Sequence, residues 1–203
     1  MKKKLFLTVI CLLLVVLCLT GCTDYSQQFD KINKLINAAY SKVKLDVTVT
    51  QDTEQLESWF EVVYNNDDSS TVTFEIQRLS TFQDGQLPDD YITTYNGSAV
   101  VKNGQVTSVS GDVPSDVDLA IISSVGIRFS DGYFSSVKDN GNSLTIKVAK
   151  PQAFLGQANF TCKDNSMTAT VSYGSLLNFI RVQYNTVGGA KVVLMYTFTP
   201  PVG

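Results

Sequence analysis

From Val43 onward the apolar residues recur at every second position. Val43, Leu45, Val47 and Val49 fall on one side, and Lys44, Asp46, Thr48 and Thr50 on the other. That is the period of a strand with one face on a core and one in water. Val72, Phe74 and Ile76 alternate in the same way against Thr73, Glu75 and Gln77. Before Val43 the period is longer: Tyr25, Phe29, Ile32, Ile36, Ala39 and Val43 are three or four residues apart. One amphipathic helix is therefore expected over residues 24–42, followed by a chain that is mostly sheet.

Turn residues divide the sheet-forming part into short runs. Strands are expected at 43–50, 56–65, 71–80, 91–95, 98–102, 105–110, 133–138, 143–149, 167–173, 176–185 and 190–199. Asn96-Gly97, Asn103-Gly104 and Gly188-Gly189 each suit a two-residue hairpin turn, and 139–142 suits a longer one. Between the two runs of strands Ser115 is placed to cap a short helix, with Asp118 three residues on and Gly126 to stop it. Pro151 opens a single helical turn through Leu155. Three strands, 56–64, 176–184 and 191–198, carry apolar residues on both faces, which is the pattern of strands covered on both sides.

The N-terminus reads differently from the rest. Lys2, Lys3 and Lys4 precede an apolar run over 5–19, which has the length of a signal-peptide core and is short for a membrane span. Leu19-Thr20-Gly21-Cys22 follows, and it resembles the lipobox of bacterial lipoproteins. The resemblance implies a signal peptide over 1–21, a lipid on the Cys22 sulfur, and one domain over 22–203 held on the outer side of the cell membrane. Two acyl chains on one residue make such an anchor durable, where one alone binds marginally.

Removal of 1–21 takes away three lysines, leaving 13 basic and 19 acidic residues and a net charge near −6. Nucleic acid and anionic lipid surfaces both call for a basic face, so neither is expected as a partner. Of four cysteines, Cys11 and Cys18 leave with the signal and Cys22 is acylated. Cys162 is left alone, in a strand-like stretch, and reads as a buried thiol. The chain has no His, which removes Ser-His and Cys-His chemistry and the commonest transition-metal ligand.

Helix, long antiparallel sheet, small helix, further strands: over residues 25–199 this order is similar to that of the LolA-like family of lipoprotein carriers. The stretch Tyr95-Asn96-Gly97-Ser98-Ala99-Val100-Val101-Lys102 resembles the mid-sheet hairpins of that family. The resemblance implies an α+β fold, a curved, unclosed half-barrel with the N-terminal helix and the short mid-chain helix packed on its concave side. It further implies a hydrophobic cavity, for which Trp59, Phe60, Phe74, Ile180 and Val182 are the candidate lining residues.

Other chemistry is weakly supported. Ser41-Lys42-Val43-Lys44 and Ser135-Ser136-Val137-Lys138 have the Ser-x-x-Lys spacing without the companion motifs of serine acyl enzymes. Asp112, Asp116 and Asp118, or Asp139 with Asn140 and Asn142, do not follow the calcium-loop pattern. Glu57 and Glu61 share a strand face but read as solvated. The expectation is thus a non-enzymatic membrane-anchored lipoprotein, without cofactor or metal, that binds a lipid, an acyl chain or a lipidated partner. The alternative is an envelope interaction module with a solid core, facing an unknown protein partner. In either case Cys22→Ser is expected to abolish lipidation. The full-length chain should then move from the detergent phase to the aqueous phase of a Triton X-114 extract, with the loss of a diacylglycerol-sized increment in mass.

Overall fold

A computed structural model describes residues 24–66, 68–79, 91–158 and 160–201. The alternating runs form ten strands. They are β1 Lys42–Gln51, β2 Glu54–Asn66, β3 Ser69–Leu79, β4 Ile92–Lys102, β5 Gln105–Gly111, β6 Phe134–Asp139, β7 Ser143–Val148, β8 Thr168–Tyr173, β9 Leu177–Asn185 and β10 Lys191–Thr199. All pair antiparallel in one sheet of order β5-β4-β3-β2-β1-β10-β9-β8-β7-β6. The edges β5 and β6 are not joined, so the sheet is unclosed. Among the described residues three short α-helices accompany it: α1 Ser26–Ile36, α2 Leu119–Ile122 and α3 Pro151–Leu155.

The chain thus starts at the centre of the sheet, winds outward to β5, crosses to the far edge at β6, and winds back. Its last strand closes on its first, with Val43 opposite Phe198 and Val49 opposite Val192. The crossing segment, 112–133, is mostly irregular; it makes local turn hydrogen bonds, and at Arg128 and Phe129 its backbone is met by other elements. Asn33 on α1 both donates to Phe129 O (2.8 Å) and accepts from Phe129 N (3.0 Å). Arg128 N donates to Phe154 O at 2.9 Å.

Register assigns every side chain to a face. Leu45, Phe60, Phe74 and Gly97 lie in one row across β1–β4 on the inner face; Leu45, Tyr196, Ile180 and Val171 continue that row across β10, β9 and β8. The helices pack on this face and divide it into two cores. Phe29, Ile32 and Ile36 of α1 and Phe154 and Leu155 of α3 cover β7–β9. Leu119 of α2 covers β2–β4. In the larger core Phe154 stands edge-on to Phe129, ring centroids 5.3 Å apart, and Phe29 to Phe134 at 5.0 Å. This ties α1, α3, the crossing segment and β6 into one aromatic cluster.

Several sequence-based expectations need correction. The first helix ends at Ile36 and not at residue 42, because Tyr40 and Val43 are already buried in the sheet core and Ser41 N bonds to Thr199 O. The mid-chain helix is a single turn capped by Asp118, not Ser115: Asp118 Oδ1 accepts from Ala120 N and Ile121 N at 2.9 and 3.1 Å. It ends before Gly126. Cys162 lies in irregular chain and is half-buried, not in a strand. Pro151–Leu155 forms as expected, with Gly156 in the left-handed region at φ 67°.

The most instructive error is Asn96-Gly97. It is no hairpin turn, and residues 92–102 run through it as one strand. Gly97 is required by close approach: a Cβ there would lie 2.7 Å from Phe74 Cζ and would collide with the Ser110 carbonyl. Asn103-Gly104, by contrast, is a turn, both residues having positive φ (51° and 71°). Gly97→Ala is therefore expected to cost about 1–3 kcal/mol through overpacking. Asn96→Ala, on the exposed face, should stay within about 0.5 kcal/mol. Urea denaturation of the two variants checks this; equal midpoints would refute the packing role of Gly97.

Candidate functional site

The five residues expected to line a cavity do not gather. Trp59 is on the outer face, paired with Glu75 on β3 and Asp46 on β1, while its neighbour Phe60 points inward. Strand parity forces that separation. Ile180 and Val182 are fully buried in the core beneath α1, and Phe74 is fully buried in the other core beside Phe60. These three pack solidly. Of the five, Phe60 lines a cleft.

The expectation that strands rich in apolar residues on both faces are covered on both sides is also corrected. Trp59, Phe179, Val193 and Met195 lie on the outer face, each half-buried. They are interspersed with Asp46, Arg181 and Glu75, and the buried residues of all three helices belong to the inner-face cores. Cross-strand neighbours in one sheet shield these side chains in part.

The cleft that Phe60 lines has a volume of about 680 Å3 and lies where the two cores meet. Val117, Ile121 and Ile122 from α2 and its approach form one wall, and Ala158 and Phe160 from the loop after α3 form the other. Asp116, Asp118, Gln157 and Thr161 supply its polar groups. Two further clefts, of about 670 and 590 Å3, are more polar; one lies between β3, β4 and α2, the other between α1 and residues 124–130. Ile121 is half exposed despite its size. The clue in the sequence was Leu119-Ala120-Ile121-Ile122, a single turn apolar all round, which cannot bury every side chain on one face. Phe160 was concealed by the strand-like reading of its surroundings.

Three tyrosines lie on the inner face near the junction of the two cores, and one of them, Tyr64, lines the cleft between β3, β4 and α2. Tyr64 and Tyr196 touch both cores, and Phe160 meets Tyr184 edge-on at 5.0 Å. Burial pushes all three hydroxyls up, since an isolated phenolate is poorly solvated there. Tyr196 is pushed to about 12, by burial first and by neighbouring Tyr184 second. For Tyr184, Cys162 adds to burial. Tyr64 Oη also donates to Ser123 O at 3.4 Å, which ties β2 to the end of α2.

The other sequence candidates are engaged elsewhere. Ser41 Oγ donates to Pro200 O at 2.9 Å, and Lys44 pairs with Asp46 at 2.7 Å. Ser135 and Lys138 are exposed on β6. Glu61 pairs with Lys42 at 3.1 Å on the outer face, and Glu57 is exposed. Asp116 pairs with Arg78 at 2.7 Å, and Asp139 Oδ1 accepts from Gly141 N in its turn. Cys22 and residues 1–21 lie outside the described residues. Among the described residues no helix is long and apolar enough to cross a membrane.

Comparison with known proteins adds little. No family model matches the chain, and no curated protein does. Solved structures that it matches include the dehydratase domain of the CurF module of curacin polyketide synthase, at 10% identity over 84% of this chain and 79% of that one, TM-score 0.23. A trans-AT polyketide synthase dehydratase domain from Brevibacillus brevis matches at 10% identity over 81% and 79%, TM-score 0.22. The CurK-module dehydratase domain of curacin polyketide synthase matches at 11% over 85% and 82%, TM-score 0.20. The expectation of a chain without catalytic activity is corrected on this finding: the matched structures are enzyme domains, and that expectation is not carried further. At these TM-scores neither their reaction nor their residues are transferred to this chain.

The buried tyrosines have a consequence for stability. A phenol whose folded value is raised to about 12 from an unfolded value near 10 favours folding while it is protonated. Above about pH 10 the unfolded chain holds fewer protons than the folded one, so stability falls as pH rises from about 10 to 12. Tyr196→Phe is expected to flatten that decline while leaving stability near pH 7 little changed. Denaturant midpoints measured across this range test it; parallel curves would refute the assignment to Tyr196.

Proposed function

We propose that this chain is a lipid-anchored protein of the bacterial cell envelope, attached through Cys22, that binds a hydrophobic ligand on the inner face of its sheet. The ligand is a lipid, an acyl chain or a lipidated partner. In this reading the unclosed ten-stranded sheet is the half-barrel of the LolA-like family, with α1 and α2 over its concave side. The matched structures are dehydratase domains and not such carriers, so the family likeness rests on element order.

The observation that carries the reading is the cleft over Phe60. Its volume, about 680 Å3, falls in the range of small-molecule sites. Ile121 stands half exposed in its wall, and with Phe60, Val117, Ile122 and Phe160 it gives the cleft a largely apolar lining. The Lys2–Lys4 segment, apolar run and Leu19-Thr20-Gly21-Cys22 support the anchor. A second reading, an interaction module of the envelope, is favoured by the solid packing of Phe74, Ile180 and Val182.

The two separate in one experiment. Residues 24–203 include every strand and both cores and are suited to gentle purification and native mass spectrometry. A co-purifying lipid, lost in Ile121→Asp without a fall in melting temperature, is the expected result. A ligand-free mass that persists after incubation with envelope lipid extract would refute the ligand-binding reading.

A further inference from the structure

The charged side chains that line the cleft over Phe60 are carboxylates, with one guanidinium just behind them. Its lining holds two carboxylates, Asp116 and Asp118, and no Lys or Arg. Both carboxylates already have partners. Asp116 is paired with Arg78 at 2.7 Å, and Asp118 accepts the Ala120 and Ile121 amides. Neither therefore calls for a cation; Arg78 offsets the charge of Asp116, and Asp118 is the carboxylate left to meet an incoming anion with like charge. Gln157 and Thr161 remain to meet an uncharged polar group.

Size restricts the ligand further. At roughly 30 Å3 per non-hydrogen atom, the share of one water in the liquid, about 680 Å3 holds on the order of 20 atoms. That is one acyl chain with a small head, and well short of a two-chain lipid. Resting on the ligand-binding reading above, we infer that the site takes a single-chain amphiphile with an uncharged, hydroxyl-bearing head, the class of a monoacylglycerol. The acyl chain lies against Phe60, Ile121, Ile122 and Phe160, and the head faces Gln157 and Thr161. Free fatty acids of the same length are disfavoured by the carboxylate of Asp118.

The test is competition by native mass spectrometry on residues 24–203 at low ionic strength. The probes are monopalmitoylglycerol, palmitate and hexadecyltrimethylammonium, each below its aggregation threshold. Monopalmitoylglycerol is expected to exceed palmitate by about fivefold or more, the size of one like-charge contact at the water-exposed limit. Added salt should shrink that ratio by screening. Asp118→Asn should shrink it too while keeping the helix cap, since Asn caps as well as Asp. Palmitate or the ammonium probe binding as well as the glyceride, in a cleft that still takes a chain, would overturn the head-group assignment and leave ligand binding standing. Failure of all three to bind would overturn both.

Discussion

Every long-range feature of this protein depends on the pairing of its first strand with its last. Within β1–β5 and within β6–β10 each strand pairs with its neighbour in sequence; β1 and β10 are at opposite ends of the chain. Ser41, at the start of that seam, bonds to the carbonyl of Thr199, 158 residues further along the chain. Nine residue pairs, from Lys42 with Thr199 to Thr50 with Lys191, then join the two meanders into one sheet. So distant a pairing carries the largest loop-closure entropy of any in the sheet, set against the hydrogen bonds it forms. Without it there would be two half-sheets, each with one helix-covered face and a new open edge.

The same junction explains where a cleft can exist. Each half-sheet carries its own helical cover, α1 and α3 on one and α2 on the other, and each cover makes its own core. The central strands belong to neither core completely. Leu194, Tyr196 and Tyr64 touch both, and each is only partly buried. Two covers laid on one continuous sheet leave a furrow between them unless a side chain is large enough to fill it. Phe160 and Ile121 approach from the two sides and do not close it. The furrow is thus a consequence of topology, and its polar groups come from the segments that connect the covers to the sheet.

Much of the fold was legible because period and turn chemistry are local. The change of period at Val43, the Asn103-Gly104 turn and the Pro151–Leu155 helical turn are each decided within a few residues. What was not legible depends on neighbours distant in sequence. Gly97 looks like half of a hairpin turn until the ring of Phe74 is placed over it. Ser115 is a good cap by type, but the chain enters its helical turn only at Asp118, where Leu119 meets β2–β4. The candidate site suffered most. Trp59 and Phe60, adjacent in sequence, cannot share a strand face, so parity alone removes one of them. Phe74, Ile180 and Val182 were chosen for being apolar, which also makes them core, and only tertiary packing separates those roles. The residues that do form the wall, Ile121 and Phe160, lie in short or irregular segments where no period exists to read.

The anchor proposed at Cys22 sets the orientation of all this. Tyr25 stands three residues after Cys22, and three residues span at most about 10 Å when fully extended. Tyr25 is already docked, its ring packed near Phe29 and its hydroxyl donating to Val137 O on β6. The lipid would therefore attach beside the β6 edge, with β5 at the opposite limit of the sheet. The edges differ to match. β6 is covered in part by α1 and ends in Lys138-Asp139, whereas β5 is exposed along all seven residues and carries no charge. The crossing segment, which contributes α2 and the Asp116–Asp118 rim, leads from the edge remote from the anchor to the edge beside it. A ligand in the furrow would thus lie beneath a segment whose far end is held at the anchored edge, by Asn33 on the backbone of Phe129 and by Phe29 on Phe134. With a lipid on Cys22, anything that shifts α1 relative to the membrane would act on that segment, because α1 is the first described element after Cys22 and Asn33 holds the backbone of Phe129.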